Sequence, residues 1–122
     1  MAATIALNNI VTKYFDAWLR YDTCLLKEIF DPSANYIIRN KQYTFSGINK
    51  ITNYWLRNKG RQRNLSLIWS IVRFEEKHCA VVFQAKFYDI EEDDMNVING
   101  VIDFFMTNTN QIGVLSEEYS KN

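Results

Sequence analysis

Asp103 is the residue in this sequence whose placement most needs a chemical explanation. It sits in Val101-Ile-Asp-Phe-Phe105, inside a stretch (residues 99–107) that reads as a β-strand. Alternation puts Val101, Asp103 and Phe105 on one face and Ile102, Phe104 and Met106 on the other. Both faces are apolar, so the strand is expected to be covered twice, with the Asp103 face turned inward over helices and the other face outward against a second layer. A carboxyl between valine and phenylalanine on an inward face is costly to bury unless it is hydrogen-bonded or neutral, and that cost marks a site candidate. Tyr14 and Trp18 are the next candidates, on the buried stripe of the first helix. A core tyrosine whose hydroxyl finds a buried partner, Asp103 included, is the alternative for Tyr14.

The remaining reactive side chains exclude more than they suggest. His78 is the only histidine and falls at a predicted turn, so no nitrogen–sulfur cluster is available for zinc and no nucleophile–histidine–acid set has obvious members. Cys24 and Cys79 have no paired spacing and read as two buried thiols of a reducing, cytosolic compartment. Neither a metal nor a cofactor is expected. Lys+Arg and Asp+Glu both number 14, which leaves no overall basic field for nucleic acid. The first residues lack the basic and apolar regions of a leader, and no run of 18 apolar residues occurs, so no membrane association is expected. Two local charge runs stand out, Arg57-Asn-Lys-Gly-Arg-Gln-Arg63 and Asp89–Asp94. The first reads as a solvated helix end, with a phosphate or acidic partner as its alternative; the second reads as a solvated turn, with calcium as its alternative.

The elements that must position these residues follow from periodicity. Residues 5–21 carry Leu7, Ile10, Val11, Tyr14, Phe15, Trp18 and Leu19 at helical spacing. Asp22 or Thr23 caps a short second helix over 24–30, stopped by Asp31-Pro32. Residues 34–39 and 41–45 form a hairpin around Asn40, and Ser46-Gly47 opens a third helix with Ile48, Ile51, Tyr54 and Trp55 inward. Three long strands follow over 65–74, 79–90 and 95–107, and a fourth over 111–119. With 48% hydrophobic residues in 122, the chain supports one core and one domain, residues 1–122. Helix, helix, hairpin, helix and a four-stranded meander make an α+β domain, a cone of curved, mixed or antiparallel sheet with three helices on its concave face.

That order, with Gly47-Ile48 and Tyr54-Trp55 in helix three, Val101-Ile-Asp-Phe-Phe105 and Glu117-Glu-Tyr119, resembles the nuclear transport factor 2-like superfamily (cystatin-like cones), including SnoaL-like polyketide cyclase and ketosteroid isomerase-like domains. The resemblance covers nearly the whole chain. It implies a deep pocket between helices and sheet and a homodimer through the outer sheet face, to which Ile102, Phe104 and Met106 are assigned. It also implies a mixture of isomerases, dehydratases, cyclases and noncatalytic binding or interaction modules, so the fold leaves catalysis open. Against ketosteroid isomerase, the helix-one tyrosine falls on Tyr14 and the oxyanion aspartic acid on Asp103. The template's base falls on Ile38 and is missing, and a late pocket aromatic falls on Tyr119. Together Tyr14 and a neutral Asp103 would donate two hydrogen bonds to one ligand oxygen. Trp18, Tyr36, Ile38, Trp55, Phe105 and Tyr119 are the expected pocket walls for a small, largely apolar carbonyl or hydroxyl compound. A base would come from Glu117, Tyr36, Lys86 or Arg39, whichever faces the cavity.

Overall fold

A computed structural model of the chain describes residues 2–121, with side chains over 4–121. Helix α1, Ala2–Arg20, buries Leu7, Val11, Tyr14, Phe15 and Trp18 along one stripe, as its spacing dictates. Tyr21 turns left-handed (φ 50°) and Asp22 caps α2, Thr23–Ile29, its side chain accepting from the Leu25 N–H at 3.1 Å. The chain becomes extended at Phe30, so Pro32 falls inside strand β1, Phe30–Ile38, rather than closing the helix. It is tolerated there because the pairing register with strand β6 (Ile112–Lys121) shifts between Phe30 and Asn35, and a missing N–H breaks no ladder at a bulge. A 3-10 turn, Arg39–Lys41, leads to β2, Tyr43–Ser46. Gly47 then adopts φ 91°, a conformation side chains resist, to start α3, Ile48–Lys59, with Ile51 and Trp55 buried.

Strands β3 (Gln62–Phe74), β4 (His78–Asp89), β5 (Asp94–Met106) and β6 form the expected meander. The six-stranded sheet runs β2-β1-β6-β5-β4-β3. Its β1–β6 pair is parallel and its other pairs antiparallel, so the sheet is mixed. Helix α1 closes over the inner face through aromatic packing. The Tyr14 ring meets Phe15, Trp55 and Phe104 edge-on with centroids 5.2–5.5 Å apart, and Phe15 stacks on Trp69 at 5.1 Å and 8°. No described helix is long and apolar enough to cross a membrane.

The faces of β5 are the reverse of the expectation. Ile98, Ile102 and Phe104 are buried against the helices, whereas Val101 and Phe105 are 38% and 41% exposed on the outer face. Both alternating sets are apolar, so hydrophobicity does not choose between them. Phe104 wins the inner position because its ring meets Tyr14. The same phase settles β4, where Cys79, Val81, Phe83, Ala85 and Phe87 point inward and the Val82, Gln84, Lys86, Tyr88 set lies outside. Cys24 is also corrected: it is exposed on α2, whose buried positions are Leu26 and Ile29. Cys79 is buried, and burial first, with the negative charge of Asp103 second, pushes its thiol up to about 12.

Candidate functional site

Between the helices and the inner sheet face lies a cavity of about 460 Å³. Its polar centre is Glu117, brought inward on β6 by the alternation that also buries Leu115. The Tyr36 hydroxyl donates to Glu117 Oε1 at 3.1 Å, and the Tyr14 and Tyr36 hydroxyls are 3.1 Å apart. With Tyr36 donating to the carboxylate, Tyr14 is left to donate to Tyr36, so the three groups form one directed chain. Burial pushes the Glu117 carboxyl up to about 7, against the lowering effects of the Tyr36 hydrogen bond and the Arg39 charge. Burial and the neighbouring Glu117 charge also push Tyr14 and Tyr36 well above the ordinary phenol range, which keeps both neutral donors. The chain thus couples a carboxyl near its midpoint at neutral pH to two hydroxyls that do not ionise.

The cavity mouth is built from charged turns. Trp18 Nε1 donates to Gln62 Oε1 at 3.3 Å, and the Tyr21 hydroxyl bonds the same oxygen. Arg61 pairs with Asp89 at 3.0 Å and Glu91 at 3.4 Å. Asp89 also accepts the Glu91 and Glu92 N–H groups. Burial raises its carboxyl, but these N–H groups and Arg61 outweigh burial and hold it below the usual range. Lys121 pairs with Glu92 at 2.6 Å, and Asn96 donates to the same carboxylate at 3.1 Å. The basic and acidic runs, each expected to be a separate solvated turn, therefore meet at Arg61 and Asp89. Chain-distant pairing of this kind carries no local signature.

Tyr14, Trp18, Tyr36, Trp55 and Tyr119 all line the cavity. Ile38 is fully buried yet is not part of the lining; it stands in register with Glu117 on the adjacent parallel strand. Asp103 and Phe105 are corrected. Asp103 lies on the outer face, where its Oδ1 is 2.8 Å from His78 Nε2 and its Oδ2 is 3.6 Å from Arg39 Nη1. The His78 ring stacks on Phe105 at 4.3 Å and 3°. Tyr14 and Asp103 are thus on opposite sides of the sheet and cannot donate to one ligand oxygen. Of the four bases considered, Glu117 and Tyr36 face the cavity, whereas Lys86 and Arg39 are exposed elsewhere. Arg61, Gln62 and Asp89 belong to the two charge runs, expected to be solvated and not part of the pocket. Asn96 carried a signal of its own, as a polar residue on the inward set of β5 that includes Ile98, Ile102 and Phe104. Among the described residues, no group of histidine, cysteine and acidic side chains is placed to hold a metal ion.

No protein-family model and no curated protein matches the sequence. Solved structures do match in shape. A protein of ketosteroid isomerase-like fold from Catenulispora acidiphila, solved with trimethylamine, superposes with a TM-score of 0.80 at 16% identity, over 91% of this chain and 85% of that one. The epoxide hydrolase/cyclase-like enzyme SalBIII, of pyran ring formation in the polyether salinomycin, gives 0.79 at 19%, over 93% and 89%. A protein of unknown function from Burkholderia pseudomallei, of the nuclear transport factor 2-like class, gives 0.80 at 9%, over 94% and 91%. Identities this low carry the fold and not the chemistry. The chain has the α+β nuclear transport factor 2-like fold that SnoaL-like and ketosteroid isomerase-like proteins share.

Proposed function

We propose that the cone cavity binds a small, largely apolar molecule bearing a carbonyl or hydroxyl group, and that Glu117 moves a proton on it in isomerase, dehydratase or cyclase chemistry. The observation that carries this reading is the buried Glu117 carboxyl, at about 7, held by Tyr36 at 3.1 Å in an aromatic-lined cavity. As carboxylate it accepts a proton from carbon beside a carbonyl or from a hydroxyl; as acid it returns one to a neighbouring atom. Tyr36, backed by Tyr14, commits its hydroxyl proton to Glu117 and so orients that carboxylate rather than the ligand oxygen. SalBIII, an epoxide hydrolase/cyclase-like enzyme of the same fold, is an instance of cyclase-type chemistry on this scaffold, while the reading for this chain rests on Glu117. The carboxylate absent at Ile38 is replaced by one a strand away, so loss of the template's base does not leave the site without a base.

The test is a thermal-shift screen of small ketones and alcohols, followed by deuterium exchange at the carbon beside the carbonyl of any binder. Wild type is expected to be stabilised and to exchange; Glu117→Gln is expected to bind but not exchange. No stabilisation by any compound would sink the ligand reading. A noncatalytic homodimeric binding or interaction module is the second reading. It is favoured by an outer sheet face that exposes Ile68, Val82, Val101 and Phe105 together. A cytosolic location belongs with either reading.

A further inference from the structure

Beside the cavity, between β2 and the last turn of α3, the surface dips into an open groove of about 720 Å³. Tyr43, Tyr54, Asn58 and Arg61 line both spaces, so groove and cavity adjoin along these four side chains. The groove wall is aromatic: Tyr54 stacks on Phe45 at 4.5 Å, and Tyr43 meets Phe45 edge-on at 6.1 Å. Its free charge is a guanidinium. Arg57 Cζ lies 5.9 Å from the Tyr54 ring centroid, and no described residue brings a carboxylate to it. Arg61 commits Nη2 to Asp89 and Nε to Glu91, leaving Nη1 without a partner among the described residues. Glu91, the one acid in the groove lining, is thereby matched. The helix dipole accounts for a cation in the last turn of α3. It does not account for a guanidinium laid over an aromatic ring in a recess that adjoins the cavity.

We infer that this groove holds the carboxylate of the cavity's ligand, which is therefore an amphiphilic acid: its apolar body enters the cone and its anionic end lies by Tyr54 and pairs with Arg57, with Arg61 Nη1 as second donor. A guanidinium resting on an aromatic face keeps its N–H edge oriented, and one fork matches one carboxylate. The inference rests on the proposed ligand role of the cavity.

Three probes of one chain length, octanoate, octanol and octylamine, separate the head groups, with tryptophan emission as readout because Trp18 and Trp55 line the cavity. At about pH 6 Glu117 is protonated and octanoate ionised, so repulsion from the cavity floor does not interfere. Wild type is expected to bind octanoate roughly tenfold more tightly than octanol, and octylamine most weakly. Arg57→Gln is expected to erase that advantage and leave octanol unchanged; Arg57→Lys is expected to restore part of it. Equal binding of octanol and octanoate by wild type overturns the groove assignment and leaves the cavity reading standing. So does an Arg57→Gln loss that affects both probes alike. Failure of all three to bind removes both.

Discussion

Glu117 stands directly beside Ile38 across the parallel β1–β6 pair. The resemblance to ketosteroid isomerase puts the base at Ile38, and the proposed base is the carboxylate on the neighbouring strand. Glu117 lies at the floor of the cone under the Tyr36 hydroxyl. Both residues are inward and buried, so the two strands present them to the same face of the sheet.

The raised Glu117 carboxyl makes stability depend on pH with a definite sign. Its folded value, about 7, lies above the ordinary 4.5, so between those limits the folded state keeps a proton that the unfolded state has lost. Its contribution is full below pH 4.5 and is lost as pH rises toward 7. The 2.5-unit gap corresponds to about 3 kcal/mol, an upper figure. Denaturant midpoints for wild type are expected to fall through this window, and those of Glu117→Gln to be flatter. Parallel curves for the two proteins would contradict the assignment.

Tyr36 and Tyr14 should not be equivalent. Tyr36→Phe leaves Glu117 without its donor and Tyr14 without its partner, and is expected to cost about 2–3 kcal/mol. It should also move the Glu117 titration further up, because the Tyr36 hydrogen bond acts to lower it. Tyr14→Phe keeps the Tyr36–Glu117 bond and is expected to cost about 1 kcal/mol. Urea unfolding and a carboxyl titration by infrared absorption distinguish the two.

Gly100 is required for space rather than for a special backbone angle. A Cβ at that position would stand 2.5 Å from the Glu118 carbonyl oxygen and 2.7 Å from Cε1 of Phe83. The first of these is backbone, which cannot swing aside. Gly100→Ala is therefore expected to destabilise by about 1–3 kcal/mol through forced displacement of β5 from β6. Chemical denaturation provides the check, and an unchanged midpoint would mean that the β5–β6 pair yields easily.

Asp103 and Glu117 offer a direct contrast between the faces of the sheet. Asp103→Asn is expected to leave ligand affinity in the cavity unchanged, while loosening the contacts with His78 and Arg39. Glu117→Gln is expected to abolish proton exchange on the ligand. Calorimetric titration of both variants with one binder, together with deuterium exchange on that binder, separates them, and a loss of affinity or of exchange in Asp103→Asn would return Asp103 to the site.

The exposed strip on the outer face predicts association. Val82 and Val101 are register partners on β4 and β5, and Ile68 on β3, in register with Gln84, is exposed along the same surface. Wild type is expected to sediment as a dimer and Val101→Glu as a monomer. A monomeric wild type at high concentration removes the homodimer.

Much of the architecture was legible because it is local. The α1 stripe, the Asp22 cap, Gly47 before α3 and the alternation of β4 each declare themselves within a few residues. Five of the eight candidate residues, Tyr14, Trp18, Tyr36, Trp55 and Tyr119, also reach the cavity, since aromatic residues on inward stripes have few other places to go. Asp103 and Phe105 failed for one shared reason. Period two divides a strand into two sets but does not say which set faces the helices, and in β5 both sets are apolar.

Local pattern by itself determined the order of helices and strands, the meander and the aromatic composition of the pocket, because turns, caps and periodicities act over short stretches of chain. Tertiary structure alone decided the phase of β5, the burial of Glu117 beside Ile38 on the cavity floor and the meeting of Arg61 with Asp89. Those outcomes depend on strand register and on which ring fits under Tyr14, and both are set by contacts between residues far apart in the chain.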